Sequence, residues 1–525
     1  MYSPAGPLYT RGMALFSDVD RVAAVAIGDL CYANPFLPSR LEAERRALGD
    51  AHRSAPDQWG RGSAADNPNI DALGQRAREL VTHAARKLRD GHTRSDEDTQ
   101  LYQGLIRYHL YHRLEDLLLK LAQAHAQGDL DRRRVSSYKL FHDELEKLCD
   151  VPGQPLPLGQ DTGHLFAMLF QVRRAFDLIR DHILGTSASA GALRGSVWQS
   201  IFTHDMRRYE RSLYAHMHEI PTLITGPSGT GKELVARAIG MGHYIPFDAT
   251  ELRFSPSAQT AFHGLNISAL SSSLLESELF GHRRGAFSGA TEDRQGWLEL
   301  CGRHGCIFLD EIGELDPAVQ VKLLRVLQTR SFSRVGETEE RAFEGKLIAA
   351  THRDLATGMD DQSFRSDFYY RLCADNIETP TLRKQLREAP QDLGHMVKHM
   401  TTRIVDEHDR EAVAAEVVGF IGDNLADYDW PGNVRELEQC VRSVLVRGGY
   451  RPARRRSADP GGARHELATR FTEGELTADQ LLDAYCTLMY HFTGSYQEAA
   501  RRLGVDRRTV KARKDDALLE ALDAD

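Results

Sequence analysis

The sequence predicts an α/β protein in which a parallel sheet lies between helical segments of the chain. Three short apolar runs, 221–225, 306–309 and 347–350, are separated by segments with helical spacing, and this alternation is typical of a parallel sheet. From about residue 384 onward the spacing is helical only. A chain of 525 residues is too long for one hydrophobic core, so several folded units are expected.

The composition is that of a globular protein without membrane segments. Of its residues 41% are hydrophobic and 27% charged, and no apolar run approaches the roughly 20 residues that span a bilayer. The first residues lack a secretory signal and the seven cysteines contain no CxxC pair, so we expect reduced thiols and a cytoplasmic location. Because the net charge is −9, any contact with DNA must come from local basic patches.

Residues 1–190 are predicted to form a mostly helical regulatory region. Apolar residues recur at intervals of three and four from Leu101 to Leu121, which predicts one long amphipathic helix. Ser95 or Asp96 can cap its start, and Gly128 can end it.

Other parts of this region are less informative. Residues 1–65 show no clear period, two further helical faces lie at 138–148 and 165–183, and the Gly-, Ser- and Ala-rich stretch 185–195 is predicted to be a linker. His109 and His112 have the spacing of metal ligands on a helix, but no third ligand is evident, so ordinary packed or surface histidines are favoured. The region resembles no sensor domain, and its signal is not evident.

A glycine-rich stretch between the first strand and the next helix predicts a phosphate-binding loop, here called the phosphate loop: Gly226, Pro227, Ser228, Gly229, Thr230, Gly231, Lys232 and Glu233. Its glycines let backbone N–H groups turn inward around the phosphates, and Lys232 reaches the β- and γ-phosphates. Glu233 stands where a Ser or Thr normally helps to hold Mg²⁺, which leaves the metal to water and another carboxylate.

Two acidic residues, Asp310 and Glu311, follow the second strand. About 80 residues after a phosphate loop, this pair predicts Mg²⁺ coordination by Asp310 and orientation or deprotonation of the attacking water by Glu311. Arg365 and Arg371 are candidates for the cations that neutralise charge on the γ-phosphate, because an arginine finger can raise the rate about 10³- to 10⁵-fold.

Four motifs, taken in order, resemble the central domain of the sigma-54-dependent transcriptional activators, the bacterial enhancer-binding proteins: Leu274–His282, Gly285–Ala290, Phe308–Ile312 and Trp430–Leu437. The resemblance implies an AAA+ ATPase fold with a phosphate-loop parallel sheet over residues 193–448, including a helical lid from about residue 384. It also implies that the protein binds ATP and Mg²⁺ and assembles as a ring.

The resemblance further implies roles for single residues. Lys232 matches the family's phosphate lysine and Asn266 its switch asparagine, while Asp310 and Glu311 match the metal and water carboxylates. Thr351 and His352 match the γ-phosphate sensor, and Arg435 matches the sensor arginine of the lid. Arg365 and Arg371 match the two arginine fingers. The asparagine is expected to switch against Glu311, and the fingers are expected to reach into the neighbouring subunit.

The most diagnostic motif, here called the GAFSGA loop, consists of Gly285, Ala286, Phe287, Ser288, Gly289 and Ala290. In the family this loop is mobile and touches sigma-54. Glycines suit a tight exposed tip, Phe287 offers apolar area and Ser288 offers a hydroxyl where the family usually has Thr. Other departures are Lys346 in place of an arginine, a long connection over 247–265 and an approximate turn into the lid over 379–384.

The carboxyl-terminal part of the sequence predicts a basic flexible linker over 449–475 and a helix-turn-helix unit over 476–525. Helical stretches are expected at 484–492, 496–503 and 506–519, with Gly504 at the tight turn. The unit resembles the Fis-type DNA-binding end of the same family. Its expected DNA-contacting residues are Arg507, Arg508, Thr509, Lys511 and Arg513.

Together these features predict an ATP-driven activator that binds double-stranded DNA upstream of a promoter and acts on sigma-54 RNA polymerase holoenzyme. The resemblance implies a homo-oligomer, either a hexamer or a hexamer of dimers. One alternative is a nucleotide-binding DNA scaffold or repressor, and Lys232, Glu311 and Arg365 favour the enzyme over it. A second is another AAA+ machine such as an unfoldase, which the loop at Phe287 and the terminal unit argue against.

Overall fold

The computed structural model describes residues 14–54, 67–128, 130, 134–151, 161–255, 262–402, 404–452, 467–468, 470–471, 474 and 476–524. Contacts divide the chain into two units, Met1–Gly448 and Gly449–Asp525. None of the helices in these described stretches is long and apolar enough to cross a membrane.

The amino-terminal part of the larger unit is helical. Its helices are α1 (Asp18–Tyr32), α2 (Ser39–Leu48), α3 (Asn69–Arg89), α4 (Asp96–Arg113), α5 (Glu115–Ala126), α6 (Tyr138–Cys149) and α7 (Thr162–His182). Ser95 caps α4 by accepting a hydrogen bond from the Asp98 N–H, as predicted. The single long helix expected from Leu101 to Leu121 is instead two helices, because the backbone of Leu114 leaves the helical region at φ −107° and ψ 10°. The apolar face continues across this break, since Leu114 and Leu118 are both buried.

The predicted linker over 185–195 is wrong, because α8 (Ala188–Phe202) begins inside it. Arg194, fully buried in this helix, donates to the carbonyl oxygens of Ile183 and Gly185 at 3.0 and 2.8 Å. The small residues serve close packing, since a Cβ added at Gly195 would lie 2.6 Å from Leu37 Cδ2. The boundary expected between residues 190 and 193 therefore falls within a helix that both regions share.

The remaining elements of this unit form the sheet, its surrounding helices and a helical lid. The strands are β1 (Thr222–Thr225), β2 (Phe247–Asp248), β3 (Arg253–Phe254), β4 (Phe262–Asn266), β5 (Gly281–His282), β6 (Arg294–Gln295), β7 (Cys306–Asp310), β8 (Ser331–Phe332), β9 (Arg341–Ala342), β10 (Lys346–Thr351) and β11 (Asp375–Glu378). The helices around the sheet are α9 (Met206–Arg211), α10 (Lys232–Met241), α11 (Ser272–Phe280), α12 (Trp297–Leu300), α13 (Pro317–Thr329), α14 (Leu355–Asp360) and α15 (Ser366–Leu372). The lid helices are α16 (Leu382–Glu388), α17 (Asp392–Thr401), α18 (Arg410–Asn424) and α19 (Asn433–Arg447).

The central sheet has five parallel strands in the order β11-β1-β10-β7-β4. The three strands predicted from sequence, β1, β7 and β10, are its interior strands, and this part of the prediction is confirmed. Successive residues of β10 face opposite cores: Leu347 and Ala349 pack on one side, Ile348 and Ala350 on the other. The carboxyl ends of the parallel strands meet at one edge, where ligands bind in sheets of this kind.

The long connection over 247–265 includes the β2–β3 hairpin, which packs on the amino-terminal helices. Phe254 lies 4.5 Å from Phe170 of α7, measured between ring centroids, and the Val135 N–H donates to the Leu252 carbonyl at 2.7 Å. The extra length thus ties the amino-terminal region to the sheet domain.

The smaller unit has four described helices: Ala478–Thr493, Tyr496–Leu503, Arg507–Arg513 and Asp516–Ala524. Gly504 adopts the left-handed conformation, φ 70°, at the predicted turn. The third predicted stretch, 506–519, is divided into the helices Arg507–Arg513 and Asp516–Ala524. The first helix begins at Ala478, earlier than the predicted residue 484. Most of the predicted linker, residues 453–466, lies outside the described residues.

Candidate functional site

The phosphate loop connects β1 to α10 and is held by neighbouring backbone on two sides. A Cβ added at Gly226 would lie 2.2 Å from Thr379 Oγ1, and one added at Gly229 would lie 2.2 Å from the Gly432 carbonyl oxygen. Both glycines also have positive φ, 137° and 80°. A side chain at either position would collide with these atoms, so the loop packs closely against Thr379 and against Gly432, which precedes the last lid helix.

Two side chains fix the inside of this loop. Thr230 Oγ1 lies 2.9 Å from the Pro227 carbonyl and 2.7 Å from Thr379 Oγ1. Lys232 Nζ donates to the carbonyl oxygens of Gly226 and Pro227 at 2.9 and 3.2 Å. Burial lowers the pKa of Lys232, and the carboxylates beyond the loop oppose that shift. The ammonium group is therefore held at the mouth of the loop, where phosphate oxygens would replace the carbonyls.

Glu233, which stands at the usual Ser or Thr position, turns away along the surface of α10. Its Oε1 accepts hydrogen bonds from Arg237 at 3.0 and 3.2 Å, and the side chain is exposed. The carboxylate is thus paired with Arg237, although its charge still contributes to raising the pKa of Asp310.

Asp310 and Glu311 lie at the carboxyl end of β7, beside the phosphate loop. Burial raises the pKa of Asp310, and the neighbouring charge of Glu311 raises it further. A cation at this position would relieve both effects, and carboxylate oxygens are ligands that Mg²⁺ prefers. Asp310 therefore suits the role of a metal ligand.

Glu311 has φ 59°, a strained value for a residue with a side chain. Its Oε2 lies 2.6 Å from His352 Nδ1, just after β10. The expected partner, Asn266, ends β4 beside Asp310, but its Oδ1 accepts from the backbone N–H and hydroxyl of Ser268 at 3.0 and 2.7 Å. Asn266 and Glu311 share no hydrogen bond in this structure, because His352 holds the carboxylate and Ser268 holds the amide oxygen. The predicted switch between Asn266 and Glu311 stays a prediction.

Thr351, the other residue at the predicted γ-phosphate sensor, is fully buried at the end of β10. Its Oγ1 accepts from the Arg353 N–H at 3.0 Å. Its side chain therefore supports the turn that carries His352, and His352 is the group that reaches the site.

The lid closes over the phosphate loop of its own chain. Arg435 donates to Ser228 Oγ at 3.2 Å, and Asn433 Nδ2 donates to the Ser228 carbonyl at 3.0 Å. Asn433 Oδ1 accepts from the Leu382 N–H at 2.9 Å and so joins two lid helices to the loop. Asn433 lies inside the Trp430–Leu437 motif, but the motif alone did not indicate its role at the phosphate loop.

The two candidate fingers lie away from this site. Arg365 is exposed and pairs with Asp367 at 2.8 Å, and Arg371 is exposed on α15. Within the described residues, neither arginine has a hydrogen bond or ion pair with the phosphate loop of its own chain. Their placement fits groups that serve another subunit.

The GAFSGA loop projects from the segment between β5 and β6 as a tight turn. The Gly285 N–H donates to the Ala290 carbonyl at 2.8 Å, and the Ala290 N–H donates to the Phe287 carbonyl at 3.0 Å. Phe287 is 37% exposed and its ring stands edge-on to His282, with centroids 5.0 Å apart. A large apolar side chain is therefore presented at the tip of a hydrogen-bonded turn.

A second loop, missed by the sequence analysis, supports the first. It joins β8 to β9, and its Glu337 pairs with Arg283 at 2.8 Å. Arg283 also pairs with Asp293 at 2.8 Å, so both ends of the GAFSGA loop are braced. A Cβ added at Gly336 would lie 2.8 Å from Ala286 Cβ, so the two loops approach closely at this glycine.

The predicted DNA-contacting residues of the smaller unit are divided. Arg507, Arg508 and Lys511 are exposed, and Thr509 is half-buried. Arg513 pairs with Asp479 and Asp483 of the first helix at 3.0 and 2.9 Å, and its role in contacting DNA stays a prediction.

The histidines singled out as metal candidates do not form a ligand cluster. The group of metal-ligand side chains that the described residues bring together is His142, Asp143 and Glu146, and it includes neither His109 nor His112. His112 lies 3.8 Å from Glu115, an ordinary helical neighbour.

Comparisons with known proteins agree with this geometry. Residues 202–378 match the Sigma-54 interaction domain, and residues 387–449 match the AAA+ ATPase lid domain. The transcriptional regulatory protein ZraR of Escherichia coli K12 is 40% identical over 304 residues, which cover 56% of this chain and 63% of that protein. The Nif-specific regulatory protein of Herbaspirillum seropedicae is 43% identical over 228 residues, which cover 43% of this chain and 39% of that protein.

Among solved structures, NtrX from Brucella abortus aligns at a TM-score of 0.38 and 24% identity, covering 70% of this chain and 76% of that one. The chain spans less than two thirds of the length of the two curated relatives. Over residues 202–378 and 387–449, the chain is thus similar to AAA+ ATPases that carry a sigma-54 interaction domain.

Proposed function

We propose that this protein is an ATP-hydrolysing transcriptional activator that binds DNA and remodels sigma-54 RNA polymerase holoenzyme to open promoters. The GAFSGA loop is the observation that supports this function most strongly. It combines an exposed Phe287 with a base braced by Arg283 and Glu337, on the domain that holds the nucleotide site. Such a loop can transmit a movement of the ATPase domain to a partner. Because that partner acts at promoters, we also propose that the protein works in the cytoplasm.

In the proposed reaction, Lys232 binds the β- and γ-phosphates, and Asp310 would hold Mg²⁺, which neutralises phosphate charge when bound. Glu311 orients the attacking water and accepts its proton. In the structure its carboxylate is bonded to His352, 2.6 Å away. A nucleotide whose γ-phosphate takes the hydrogen bond from His352 would release Glu311 for this role, so the histidine links phosphate contact to the base.

The proposed assembly is a homo-oligomer, a hexamer or a hexamer of dimers. Arg365 and Arg371 are exposed, and among the described residues neither bonds to the phosphate loop of its own chain. This supports a role across a subunit boundary. The basic face of the smaller unit, Arg507, Arg508 and Lys511, supports binding to double-stranded DNA. Both are proposals for the whole protein.

The test is open-complex formation by the full-length protein with sigma-54 holoenzyme on supercoiled promoter DNA. We expect open complexes with ATP and none with ADP or with Lys232→Ala. A second candidate, a nucleotide-binding scaffold or repressor, predicts DNA binding in the same experiment without ATP-dependent opening. DNA binding without ATP-dependent opening would therefore contradict the proposed function and support the scaffold or repressor.

A further inference from the structure

The first turn of α8 is capped by side chains of the lid. The N–H groups of Thr186 and Ser187 donate to Asp392 at 2.7 and 3.1 Å, and the Thr186 hydroxyl donates to the same carboxylate at 2.7 Å. The Ser189 N–H donates to Glu388 at 2.7 Å. The first N–H groups of a helix have no partner inside the helix, and they favour negative charge. Two carboxylates of the lid therefore complete the start of α8.

Asp392 depends on this contact because it is fully buried. Burying a carboxylate is unfavourable unless donors and positive charge surround it. Burial lowers the pKa of Arg194, a fully buried residue of α8, to about 10, and the charge of Asp392 opposes that shift. A Cβ added at Gly185, where φ is 105°, would lie 2.9 Å from Asp392 Oδ2. The lid thus fits closely against the turn that precedes α8.

The lid also contacts the phosphate loop, and there the bonds are fewer and more exposed. Arg435 donates to Ser228 Oγ at 3.2 Å on the surface, and Asn433 Nδ2 donates to the Ser228 carbonyl at 3.0 Å. Neither acceptor is charged, whereas hydrogen bonds to a carboxylate are shorter and stronger than those between neutral groups. When the lid moves, it should therefore leave the phosphate loop and stay attached to α8.

We propose that Asp392 and Glu388 are positioning residues that fix the pivot of the lid on α8, so that Arg435 returns to the phosphate loop when nucleotide binds. The pivot has this role only if the protein binds nucleotide as proposed above. Loss of the pivot weakens the hold of the lid on the nucleotide, because Arg435 then spends less time at the phosphate loop.

Calorimetric titration of the full-length protein with ADP and Mg²⁺ tests the pivot at an exposed position. Glu388→Ala should weaken ADP binding about two- to fivefold, the effect of losing one exposed charged contact. Arg387→Ala is the matched control, because Arg387 is exposed in the same turn of α16 and makes no ion pair among the described residues. This control should bind ADP as wild type does. Equal affinities for Glu388→Ala and wild type would overturn the role of Glu388.

Asp392→Asn tests the buried part of the pivot and is expected to weaken ADP binding about tenfold or more, because hydrogen bonds to a charged group are lost. A double-mutant cycle with Arg435→Ala separates positioning from a general loss of structure. Asp392 and Arg435 share no hydrogen bond or ion pair within the described part of the chain, so independent effects would multiply. We expect the effect of Asp392→Asn to shrink at least about threefold in the Arg435→Ala background. An undiminished effect would overturn action through Arg435.

The same cycle with Glu388→Ala decides the question if Asp392→Asn does not fold. The effect of Glu388→Ala should then disappear when Arg435 is also replaced, and persistence of the effect would contradict the pivot. Promoter opening does not enter these measurements, so their failure would leave the sigma-54 proposal standing. Failure of wild type to bind ADP would overturn the pivot together with the nucleotide site.

Discussion

The phosphate loop and the GAFSGA loop are both glycine-rich and both contain glycines with positive φ, yet their surroundings are opposite. Added Cβ atoms at Gly226 and Gly229 would collide with neighbouring atoms at 2.2 Å, whereas at Gly285 and Gly289 they would meet nothing within 4 Å. The first loop is clamped by Thr379 and the lid. The second is braced at its base and by the contact of Phe287 with His282, and its glycines have open space around them. Glycine thus allows close packing of the phosphate loop against its neighbours and an exposed turn in the GAFSGA loop.

The largest effect on ATP turnover is expected from the arginine that a neighbouring subunit supplies to the nucleotide site. Arg365→Ala should lower ATP turnover about 10³-fold or more while nucleotide still binds, because the arginine neutralises charge that develops during transfer. Phosphate release and nucleotide titration on the same preparation measure both. Mixing this variant with Lys232→Ala should restore some turnover at interfaces that combine one intact loop with one intact arginine. If no mixing ratio restores any, the finger does not act between subunits.

Glu311→Gln should reduce ATP turnover about 10²- to 10⁴-fold, because the amide cannot accept the proton of the attacking water. Nucleotide affinity should remain within about threefold of wild type, since the phosphate loop is untouched. A variant that hydrolyses ATP at the wild-type rate would remove Glu311 from the chemistry.

Gly229→Ala and Gly289→Ala form a matched pair that tests the comparison directly. Both positions have positive φ, 80° and 108°, so an alanine is strained at either of them. Only the first would also clash with the Gly432 carbonyl. We expect Gly229→Ala to weaken nucleotide binding about 10- to 100-fold, a free-energy change of about 1–3 kcal/mol, and Gly289→Ala to leave it unchanged. Equal affinities would mean that the clamp is not needed.

The smaller unit shows the same contrast between anchored and free groups, with a smaller expected effect. Arg508 is exposed, whereas Arg513 is tied to Asp479 and Asp483. Arg508→Ala should weaken DNA binding and, if it removes a phosphate contact, lower the salt slope of the association constant by about one. Arg513→Ala should leave that slope unchanged. A fall in slope for Arg513→Ala and not for Arg508→Ala would show that Arg513, rather than Arg508, contacts a phosphate.

The sequence predicted the interior of the sheet but not its edges. β1, β7 and β10 are buried on both faces and therefore appear as continuous apolar runs, whereas β4 and β11 at the edges are partly exposed and carry no such run. The small residues of segment 185–195 predict a linker, but such residues suit both a flexible chain and close helix packing. Only the neighbours, such as Leu37 beside Gly195, distinguish the two.

Within the site, short motifs predicted the residues but not their partners. The phosphate loop, Asp310 and Glu311 lie together as the parallel strands require. The contact of Glu311 with His352 in place of Asn266 depends on how three strand ends are spaced, and no local pattern contains that information. Asn433 was missed because its role, joining the lid to the phosphate loop, is visible only after folding.

We propose that the GAFSGA loop transmits to sigma-54 polymerase the movement driven by ATP hydrolysis at the phosphate loop. Phe287→Ala tests this proposal most directly. ATP turnover should be unchanged in this variant, because Phe287 belongs to no part of the nucleotide site. Ser288→Thr, which restores the family's usual side chain, serves as the control and should match or exceed wild type in both assays. The measurement is open-complex formation with sigma-54 polymerase on supercoiled promoter DNA, beside phosphate release from the same preparation. The account predicts normal phosphate release and no promoter opening for Phe287→Ala, and opening at the wild-type rate would contradict it.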